Sequence, residues 1–423
     1  MRKVTAILIG AGLRGVDAYG RYSVDHPEEF TVVGIADPNE ERRTRAAKLF
    51  GVPEENLFND YKEVFERERF ADMVMVCTQD RMHWEPTLMA FEKGYHVLCE
   101  KPMSVDKNEI VEMAKAAKKH DRVLSLCYVL RYSPFFVKLK KMLKAGLIGK
   151  LMNVQYIENV GFWHHMHSFV RGNWNNSEVS CPMIMAKCCH DMDILTWLLE
   201  SPCRRIQSFG ELGHFHEGNA PEGAPKYCMD GCAHRDDCPY YAPRFYMEHP
   251  KAVSDFLIKA VCEDIDNASV LKALEKGPYG RCVYHCDNDV VDHQIVNMEF
   301  ENDVRVSFTM SAFSKECCRE VNFMGTKGQI KGNMEEGRIE YYDFVTGNTE
   351  IVHIHCSDIG HSGSDAAMMK ELVQVIAAVE EGAPVPLDTD EYIDSHLLAF
   401  AAEESRLNGS VINFKEYKES MNV

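Results

Sequence analysis

The chain has 423 residues, of which 45% are apolar and 26% charged, and a formal net charge of −18. This length predicts two domains. The negative charge argues against a nucleic-acid partner or an anionic membrane surface, and no apolar run approaches the roughly 20 residues of a membrane span. Sixteen cysteines without a cleavable signal sequence predict a reducing, cytoplasmic location.

Residues 1–127 alternate short apolar runs with amphipathic stretches. The runs at 4–9, 31–36, 73–77, 96–99 and 123–127 predict strands, and the stretches at 40–50, 84–93 and 107–119 predict helices. Strands that alternate with helices of this length are typical of βαβ units. The sequence therefore predicts an α/β fold with an N-terminal Rossmann parallel sheet.

Residues 128–423 change period after a helix predicted at 135–144. Strands are predicted at 151–162, 290–300, 304–313, 320–325 and 339–344, with polar turns between several of them. This pattern favours a C-terminal α+β domain with a large, mostly antiparallel sheet. We expect it to hold the substrate and to form a homo-oligomer. It has a Cys-rich insertion at about 210–250 and closing helices between 365 and 407.

A glycine motif follows the first predicted strand, with Gly10, Gly12, Leu13, Arg14 and Gly15 as its nucleotide-facing residues. The glycines permit a tight turn, a close approach to a pyrophosphate and close helix packing. Asp37 ends the second strand, where a carboxylate binds the ribose. Its charge would repel a 2′-phosphate by about 4 kcal/mol at most, so NAD is favoured over NADP unless Arg42 and Arg43 offset it.

Two polar segments follow the strands predicted at 73–77 and 96–99, and we expect both to line the nicotinamide half of the site. They contribute Thr78, Gln79, His83, Glu100 and Lys101. A desolvated lysine there exchanges a proton with an alcohol that loses a hydride. On spacing alone, a surface lysine paired with Glu100 is an equal alternative.

The GAGLRG, ADP, TQDRMH and EKP segments together resemble the glucose–fructose oxidoreductase / inositol dehydrogenase (Gfo/Idh/MocA) family, and the similarity extends through the HDMD segment to the closing helices. The resemblance implies catalysis by Lys101 and contact of His190 with the reacting hydroxyl. Family members that are plain dehydrogenases often carry Asp four residues before that histidine, where this chain has Ala186. Lys187 either substitutes as the charged group or pairs with an acid.

Further polar residues are predicted at strand ends of the second domain. Trp163, His164, His167 and Arg171 suit stacking on a sugar ring and hydrogen bonding to its hydroxyls, although a solvated loop with buried tryptophans is the alternative. Asp292 and His293 enter a strand; we expect Asp292 to contact substrate and His293 to act in catalysis, with a structural histidine as the even alternative.

The insertion contains Cys228, Cys232 and Cys238 on a segment that Gly231 and Pro239 keep from being a helix. Close thiolates in a reducing compartment indicate a metal, which we expect to be structural Zn²⁺. Cys282 is our choice of fourth ligand, with Cys286 and His234 as further options. An iron–sulfur cluster and free buried thiols remain as alternatives.

These observations predict an NAD-dependent oxidoreductase that acts on a secondary hydroxyl of a carbohydrate, glycoside or cyclitol. One alternative is a glycosidase that uses NAD for transient C3 oxidation and elimination. A non-catalytic NAD-binding sensor is another, against which Lys101 and His190 count, because a sensor needs neither.

Overall fold

The computed structural model describes residues 2–250, 255–262, 264, 266–355, 363–386 and 389–421. Within these ranges, no helix combines the length and the apolar character required to cross a membrane.

The first sheet is a six-stranded parallel Rossmann sheet with strand order β3-β2-β1-β4-β5-β6. Its strands are β1 Val4–Ile9, β2 Phe30–Ala36, β3 Leu57–Phe58, β4 Met73–Val76, β5 His96–Cys99 and β6 Leu124–Leu126. The helices between them are α1 Tyr22–Asp25, α2 Glu40–Phe50, α3 Tyr61–Glu66, α4 Trp84–Glu92 and α5 Lys107–His120. The order reverses between β1 and β4, and dinucleotides bind at such a switch point.

The second sheet has nine strands in the order β14-β13-β12-β11-β7-β10-β9-β8-β15. All neighbours are antiparallel except β7 and β10. The strands are β7 Leu151–Asn159, β8 Cys203–Glu211, β9 His293–Phe300, β10 Arg305–Ser311, β11 Cys318–Gly325, β12 Gly328–Asn333, β13 Arg338–Asp343, β14 Thr349–His353 and β15 Ile412–Asn413. The predicted α/β fold class, with its mostly antiparallel second sheet, is confirmed.

The remaining helices follow the Rossmann sheet in sequence. They are α6 Pro134–Lys144, α7 Phe162–His165, α8 Met183–Ala186, α9 Cys189–Leu199, α10 Ala242–Glu248, α11 Asp255–Val261, α12 Asn267–Lys276, α13 Ser364–Glu380, α14 Asp390–Asn408 and α15 Phe414–Glu419. Buried and exposed residues alternate along β8, β9 and β10. One face of the sheet therefore packs on the core and the other is open, as period-2 patterning requires.

Helix α13 belongs to the second domain in sequence but packs on the first. Met368, Leu372 and Ile376 share one apolar cluster with Val4 and Leu8 of β1. After most of the second sheet is formed, the chain thus returns to pack on the Rossmann sheet. Helix α13 therefore connects the two domains.

Candidate active site

The glycine turn after β1 has the shape of a dinucleotide cradle. Gly10 has φ +94°, and a Cβ there would lie 2.4 Å from the Cys77 carbonyl oxygen; one at Gly15 would lie 2.4 Å from the Gly10 oxygen. A Cβ at Gly12 would meet nothing within 4 Å. Two glycines therefore close the turn, and Gly12 leaves room for a pyrophosphate to approach the backbone.

Asp37 lies directly beyond β2 and is tied to the same turn. Its carboxylate accepts hydrogen bonds from the Ala11 N–H at 2.7 Å and the Asn39 N–H at 2.8 Å. The Arg43 guanidinium donates to the Asp37 carbonyl oxygen. A carboxylate has lone pairs beyond those two bonds, so this arrangement fits a ribose diol and, with the glycine turn, the NAD group.

Arg14 and Glu100, both predicted to touch the cofactor, form a partly buried ion pair. The Arg14 Nε lies 2.9 Å from the Glu100 Oε1, which also accepts from the Tyr19 hydroxyl at 2.6 Å. Arg14 additionally pairs with Asp365 of α13 at 2.9 Å. Burial opposes ionisation of Glu100, but the charges of Arg14 and Lys101 and the bonds from Tyr19 and Arg14 hold the pKa of Glu100 below its usual value.

Glu100 also accepts the main-chain N–H of Lys101 at 2.8 Å, so its side chain holds the backbone of Lys101 in place. His83 likewise holds main chain in place, because its ring nitrogens lie 2.7 and 3.1 Å from the Pro102 and Thr78 carbonyl oxygens. Both side chains are buried. Glu100 and His83 thus stabilise the loops that follow β4 and β5. Thr78 is partly exposed and Gln79 is exposed.

Lys101 joins the two domains at the carboxyl edge of the Rossmann sheet. Its Nζ donates to the Ala186 carbonyl oxygen at 2.7 Å. Ala186 is the last residue of α8, and His190 lies in the first turn of α9. The alternative of a surface lysine paired through its ammonium with Glu100 is therefore wrong, because the ammonium bonds to a main-chain carbonyl oxygen. That carbonyl belongs to Ala186, the position at which plain dehydrogenases of the family often carry Asp.

Helix α9 is anchored through two buried carboxylates, Asp191 and Asp193, which follow His190 in the sequence. The Asp191 Oδ1 accepts from the Tyr156 hydroxyl at 2.9 Å and pairs with the Arg319 Nε at 2.7 Å. Asp193 accepts two hydrogen bonds from Arg131, at 2.6 and 2.8 Å. The His190 ring lies edge-on to the Tyr128 ring, with centroids 6.1 Å apart. The contacts of Asp191 and Asp193 thus hold the helix in place, and His190 projects from a different face of the same helix.

Lys187 lies in a buried cluster of charges under this helix. Its Nζ is 3.4 Å from the Glu158 Oε1, and the Arg319 Nε is 3.1 Å from the Glu158 Oε2. Burial raises the pKa of Glu158 to about 7 against the opposing charges of Arg319 and Lys187. Burial also disfavours the Lys187 ammonium, yet Cys317 and Glu158 hold the pKa of Lys187 above its usual value. Lys187 therefore pairs with an acid, one of the two expected outcomes.

Trp163 and His164 lie beside this cluster. The Trp163 indole donates to the Lys315 carbonyl oxygen at 3.2 Å, and the His164 ring stacks on Phe169 at 5.8 Å. Burial, and then the charge of Lys187, lowers the pKa of His164 well below its usual value. A neutral imidazole donates one hydrogen bond and accepts another, so the segment keeps its predicted potential to contact substrate.

Two of the predicted substrate residues need correction. Arg171 is 1% exposed, and its guanidinium donates to the Arg281 and Tyr240 carbonyl oxygens, both at 2.7 Å. His167 is buried, bonds to the Tyr246 hydroxyl at 2.8 Å and stacks on Tyr279. Both are buried because they belong to the π-helical turn Met166–Arg171, all six residues of which are buried.

Asp292 is likewise fully buried, with the His214 N–H at 2.7 Å from its Oδ2 and the His293 Nδ1 at 2.7 Å from its Oδ1. It orients His293 and is not available to a substrate, which corrects the prediction for Asp292. The His293 side chain is 45% exposed at the start of β9. Its catalytic role stays a prediction.

The four cysteines predicted to bind metal line one small cavity of about 10 Å³ in the insertion, together with His234. Cys286, the other candidate, does not line it. Among the described residues, no three cysteine sulfurs lie within 4.8 Å of one another; the only group of three potential ligands that close is His26, Glu28 and Glu29 on the surface.

The sequence gives little indication of five further residues at the site, Tyr128, Glu158, Arg319, Arg131 and Asp365. Glu158 is a charged residue at an inward position of the strand predicted at 151–162, and Arg319 directly precedes the strand predicted at 320–325 and is buried in β11. The partners of Tyr128, Arg131 and Asp365 are 62 to 351 positions away in sequence.

The sequence matches known protein families over most of its length. The family described as oxidoreductase family, NAD-binding Rossmann fold, matches residues 4–128, and its C-terminal alpha/beta domain matches residues 140–414. The putative oxidoreductase YteT of Bacillus subtilis is 23% identical over 385 residues, 84% of this chain and 86% of that protein. Inositol 2-dehydrogenase 4 of Saccharopolyspora erythraea is 30% identical over 201 residues, 47% of this chain and 54% of that protein.

Among solved structures, a levoglucosan dehydrogenase in complex with NADH and levoglucosan has the same fold, with a TM-score of 0.72 and 16% identity, over 98% of this chain and 100% of that chain. The resemblance drawn from the sequence motifs is confirmed by the two domain matches, which together span most of the chain. The chain belongs to the Gfo/Idh/MocA family of oxidoreductases and contains its NAD-binding Rossmann domain.

Proposed function

We propose that this protein is an NAD-dependent dehydrogenase that oxidises a secondary hydroxyl of a carbohydrate, glycoside or cyclitol. The observation that carries the proposal is the contact of the Lys101 Nζ with the Ala186 carbonyl oxygen, beside His190 and at the edge of the sheet where a dinucleotide binds. The relatives named inositol 2-dehydrogenase and levoglucosan dehydrogenase act on compounds of this class.

The cleft residues divide the work of such a reaction. NAD, when bound, accepts or returns the hydride. Lys101 accepts the proton of the reacting hydroxyl as its amine and donates it back as its ammonium. Its bond to the Ala186 carbonyl and the Glu100 bond to its main chain limit its motion. His190, fixed by the anchors of α9, orients the hydroxyl oxygen, and Trp163 and His164 contact the ring.

NAD is the proposed coenzyme over NADP. The Asp37 carboxylate lies beside the glycine turn and would face a 2′-phosphate with like charge. Arg43 is occupied by the Asp37 carbonyl oxygen, which reduces its ability to offset that repulsion.

Glycoside cleavage with NAD as an internal redox aid is a second candidate. Ala186 supplies a carbonyl but no carboxylate. The half-exposed His293 adds an acid/base group that a simple hydride transfer does not need, whereas the lowered pKa of His164 makes that ring a weak base. Elimination requires separate groups to take the C3 hydroxyl proton, remove the C2 proton and protonate the leaving oxygen.

One experiment separates the candidates. The protein is incubated in deuterated water with NAD and a panel of sugars, cyclitols and aryl glycosides. We expect NADH to accumulate with a cyclitol or sugar. Release of aglycone with deuterium at C2 and without net NADH would favour the glycosidase, and neither signal across the panel would favour the NAD-binding sensor.

Assembly and a second cofactor complete the proposal. The open face of the nine-stranded sheet is the surface through which two copies of the chain associate. A structural Zn²⁺ is bound away from the cleft, where four cysteines line one cavity. The described cysteines are free thiols, which supports a cytoplasmic location.

A further inference from the structure

Arg171 is a buried cation that lacks an acidic partner in the described part of the chain. It is the largest fully buried side chain, at 1% exposure. Its guanidinium donates to the Arg281 and Tyr240 carbonyl oxygens, and it contacts the Met166 sulfur at 3.2 Å and the Cys228 sulfur at 3.7 Å. Burying a charge costs several kcal/mol unless an opposite charge accompanies it. The hydrogen bonds satisfy its donors, but carbonyl oxygens and neutral sulfurs do not cancel its charge.

The sulfur that Arg171 contacts belongs to the four-cysteine cavity. Cys228, Cys232 and Cys238 reach it from the insertion, and Cys282 reaches it from the chain segment after α12. The Cys228 N–H and Cys282 N–H bond to the Gly280 and Lys226 carbonyl oxygens at 2.9 and 2.8 Å, so the two segments lie side by side. The cavity, at about 10 Å³, is close to the space that one water fills.

Neutral thiols leave the charge of Arg171 uncompensated, whereas metal-bound thiolates compensate it. Four thiolates around one divalent ion carry a net charge of −2, and one of these sulfurs already contacts the guanidinium. We infer that Cys228, Cys232, Cys238 and Cys282 bind a tetrahedral Zn²⁺ and that Arg171 is the buried charge partner of this centre. Two independent features support the inference: the convergence of the thiols and the unbalanced cation.

Zinc binding requires the thiols to draw together. A Zn–S distance of about 2.3 Å in a tetrahedron gives sulfur separations of about 3.8 Å, and no three of the described cysteine sulfurs lie within 4.8 Å of one another. Such sites rarely preform, so metal binding and folding are coupled. Arg171 ends the π-helical turn that continues α7. The metal therefore fastens the insertion to the segment that carries Trp163 and His164.

The metal content of the purified full-length protein tests the site. We expect about one zinc per chain by elemental analysis. Titration of the chelated protein with Co²⁺ should produce tetrahedral d–d bands and thiolate-to-cobalt charge transfer. Cys232→Ser removes a half-buried ligand and should lower the bound zinc several-fold. Cys286→Ser is the matched control, since Cys286 lies four residues after Cys282 but does not line the cavity, and it should keep its zinc.

Arg171 is tested through zinc affinity measured by chelator competition. Removal of a charge partner outside the ligand shell typically weakens metal binding 10–100-fold, so Arg171→Gln should lose about that much. Arg171→Lys, which keeps the charge, should stay within about tenfold of wild type. Wild-type protein that is metal-free and equally stable after chelation would overturn the site. Iron with acid-labile sulfide would overturn the zinc assignment, and unchanged affinity in Arg171→Gln would overturn the role of Arg171.

Discussion

At the end of β2, the two oxygens of Asp37 have separate protein partners, Ala11 N–H on one side and Asn39 N–H on the other. These bonds orient the carboxylate while leaving lone pairs for ribose hydroxyls. The same carboxylate would repel a 2′-phosphate, so the proposed preference for NAD over NADP depends chiefly on this one residue.

We predict that Asp37→Ser narrows the preference of the protein for NAD. In the wild type, NADP should bind more weakly, by up to roughly three decades, if the two charges approach to about 4 Å at an effective dielectric near 20. The variant should lose most of this difference, chiefly through weaker NAD and stronger NADP binding. Dissociation constants for both coenzymes, measured by titration, give the ratio. Equal affinities in the wild type would mean that Arg42 and Arg43 dominate.

Lys101 provides the second prediction. Lys101→Met should reduce turnover by 10²–10⁴-fold, the usual contribution of a general acid/base, because Met fills the same space without a titratable proton. NAD affinity and thermal stability should change little, since the side chain donates its hydrogen bond to a main-chain carbonyl oxygen and Arg14 still compensates the charge of Glu100. Steady-state kinetics with a substrate from the panel, NAD titration and a melting curve check the three quantities. Retention of more than about a tenth of the activity would contradict the role.

The residues that the sequence identified at this scale are those with a local signature. Gly10, Asp37 and Lys101 each follow a predicted strand at a position where the fold dictates the chemistry. The carbonyl of Ala186 has no such signature, because its main-chain oxygen is the same in every residue. Arg171 was misplaced for a related reason: an arginine near tryptophans looks like a sugar contact until its burial is known.

At the scale of elements, α7 and the π-helical turn after it place three histidines in different surroundings. His164 lies near Lys187, His165 stacks on Phe215 at 5.4 Å, and His167 stacks on Tyr279 at 4.6 Å. The sequence shows only a cluster of histidines beside a tryptophan. Burial of the continuing turn decides which of them the solvent reaches.

The buried His165 predicts a pH dependence of folding. Burial lowers the pKa of His165 from 6.5 to about 4. The unfolded chain therefore binds this proton more readily than the folded one, and the stability it contributes is present above pH 6.5 and lost as the pH falls toward 4. Relative to His165→Phe, which retains an aromatic ring against Phe215, the wild type should lose about 2 kcal/mol between pH 6.5 and 5.

Denaturant unfolding of both proteins across that pH range measures the difference. A difference in unfolding free energy that stays constant with pH would contradict the neutral, buried state of His165. Loss of the weak contact with the Val291 carbonyl oxygen, at 3.4 Å, would shift the variant equally at every pH and does not imitate the predicted slope.

Element prediction succeeded where the apolar period is strong and failed where it is short or mixed. Helix α2 lies at the predicted 40–50, and the five predicted strands of the second sheet are present with shifted ends. Strands β3 and β15 have two residues each, and β8 reads CRRIQSFGE, in which an exposed Arg and Phe occupy the open face. Their pairing depends on neighbouring strands that local sequence does not reveal.

At the scale of the whole molecule, three contacts link the two domains. Lys101 bonds to the end of α8, and the Trp174 indole donates to Asp80 at 3.1 Å. Asp365 of helix α13 pairs with Arg14 of the Rossmann domain. The domain boundary predicted at 127/128 does not capture this return of the chain, since helix periodicity identifies an element but not the sheet it packs on.

The open face of the nine-stranded sheet carries aligned rows of side chains across β8, β9, β10 and β7. Phe209, Ile295, Thr309 and Ile157 form one row, and Phe209 and Ile295 are 56% and 43% exposed. A second row alternates charge, with Arg205, Glu299 and Arg305 in register. Two copies related by a two-fold axis would bring the same face of each copy together, so that the apolar rows are buried against each other.

This arrangement predicts that the protein forms an oligomer through the sheet and that Ile295→Glu disrupts it. Light scattering coupled to gel filtration should show the wild type as at least a dimer, because the exposed apolar row would be buried in the interface. A carboxylate in the centre of the apolar row would be desolvated without a partner and should shift the protein to monomer. Val345→Glu is the matched control, since Val345 is an 83% exposed apolar residue in a turn away from this face. A monomeric wild type, or an Ile295→Glu variant that retains the wild-type mass, would show that the sheet face is not the interface; NAD titration of the variant establishes that its Rossmann domain remains folded.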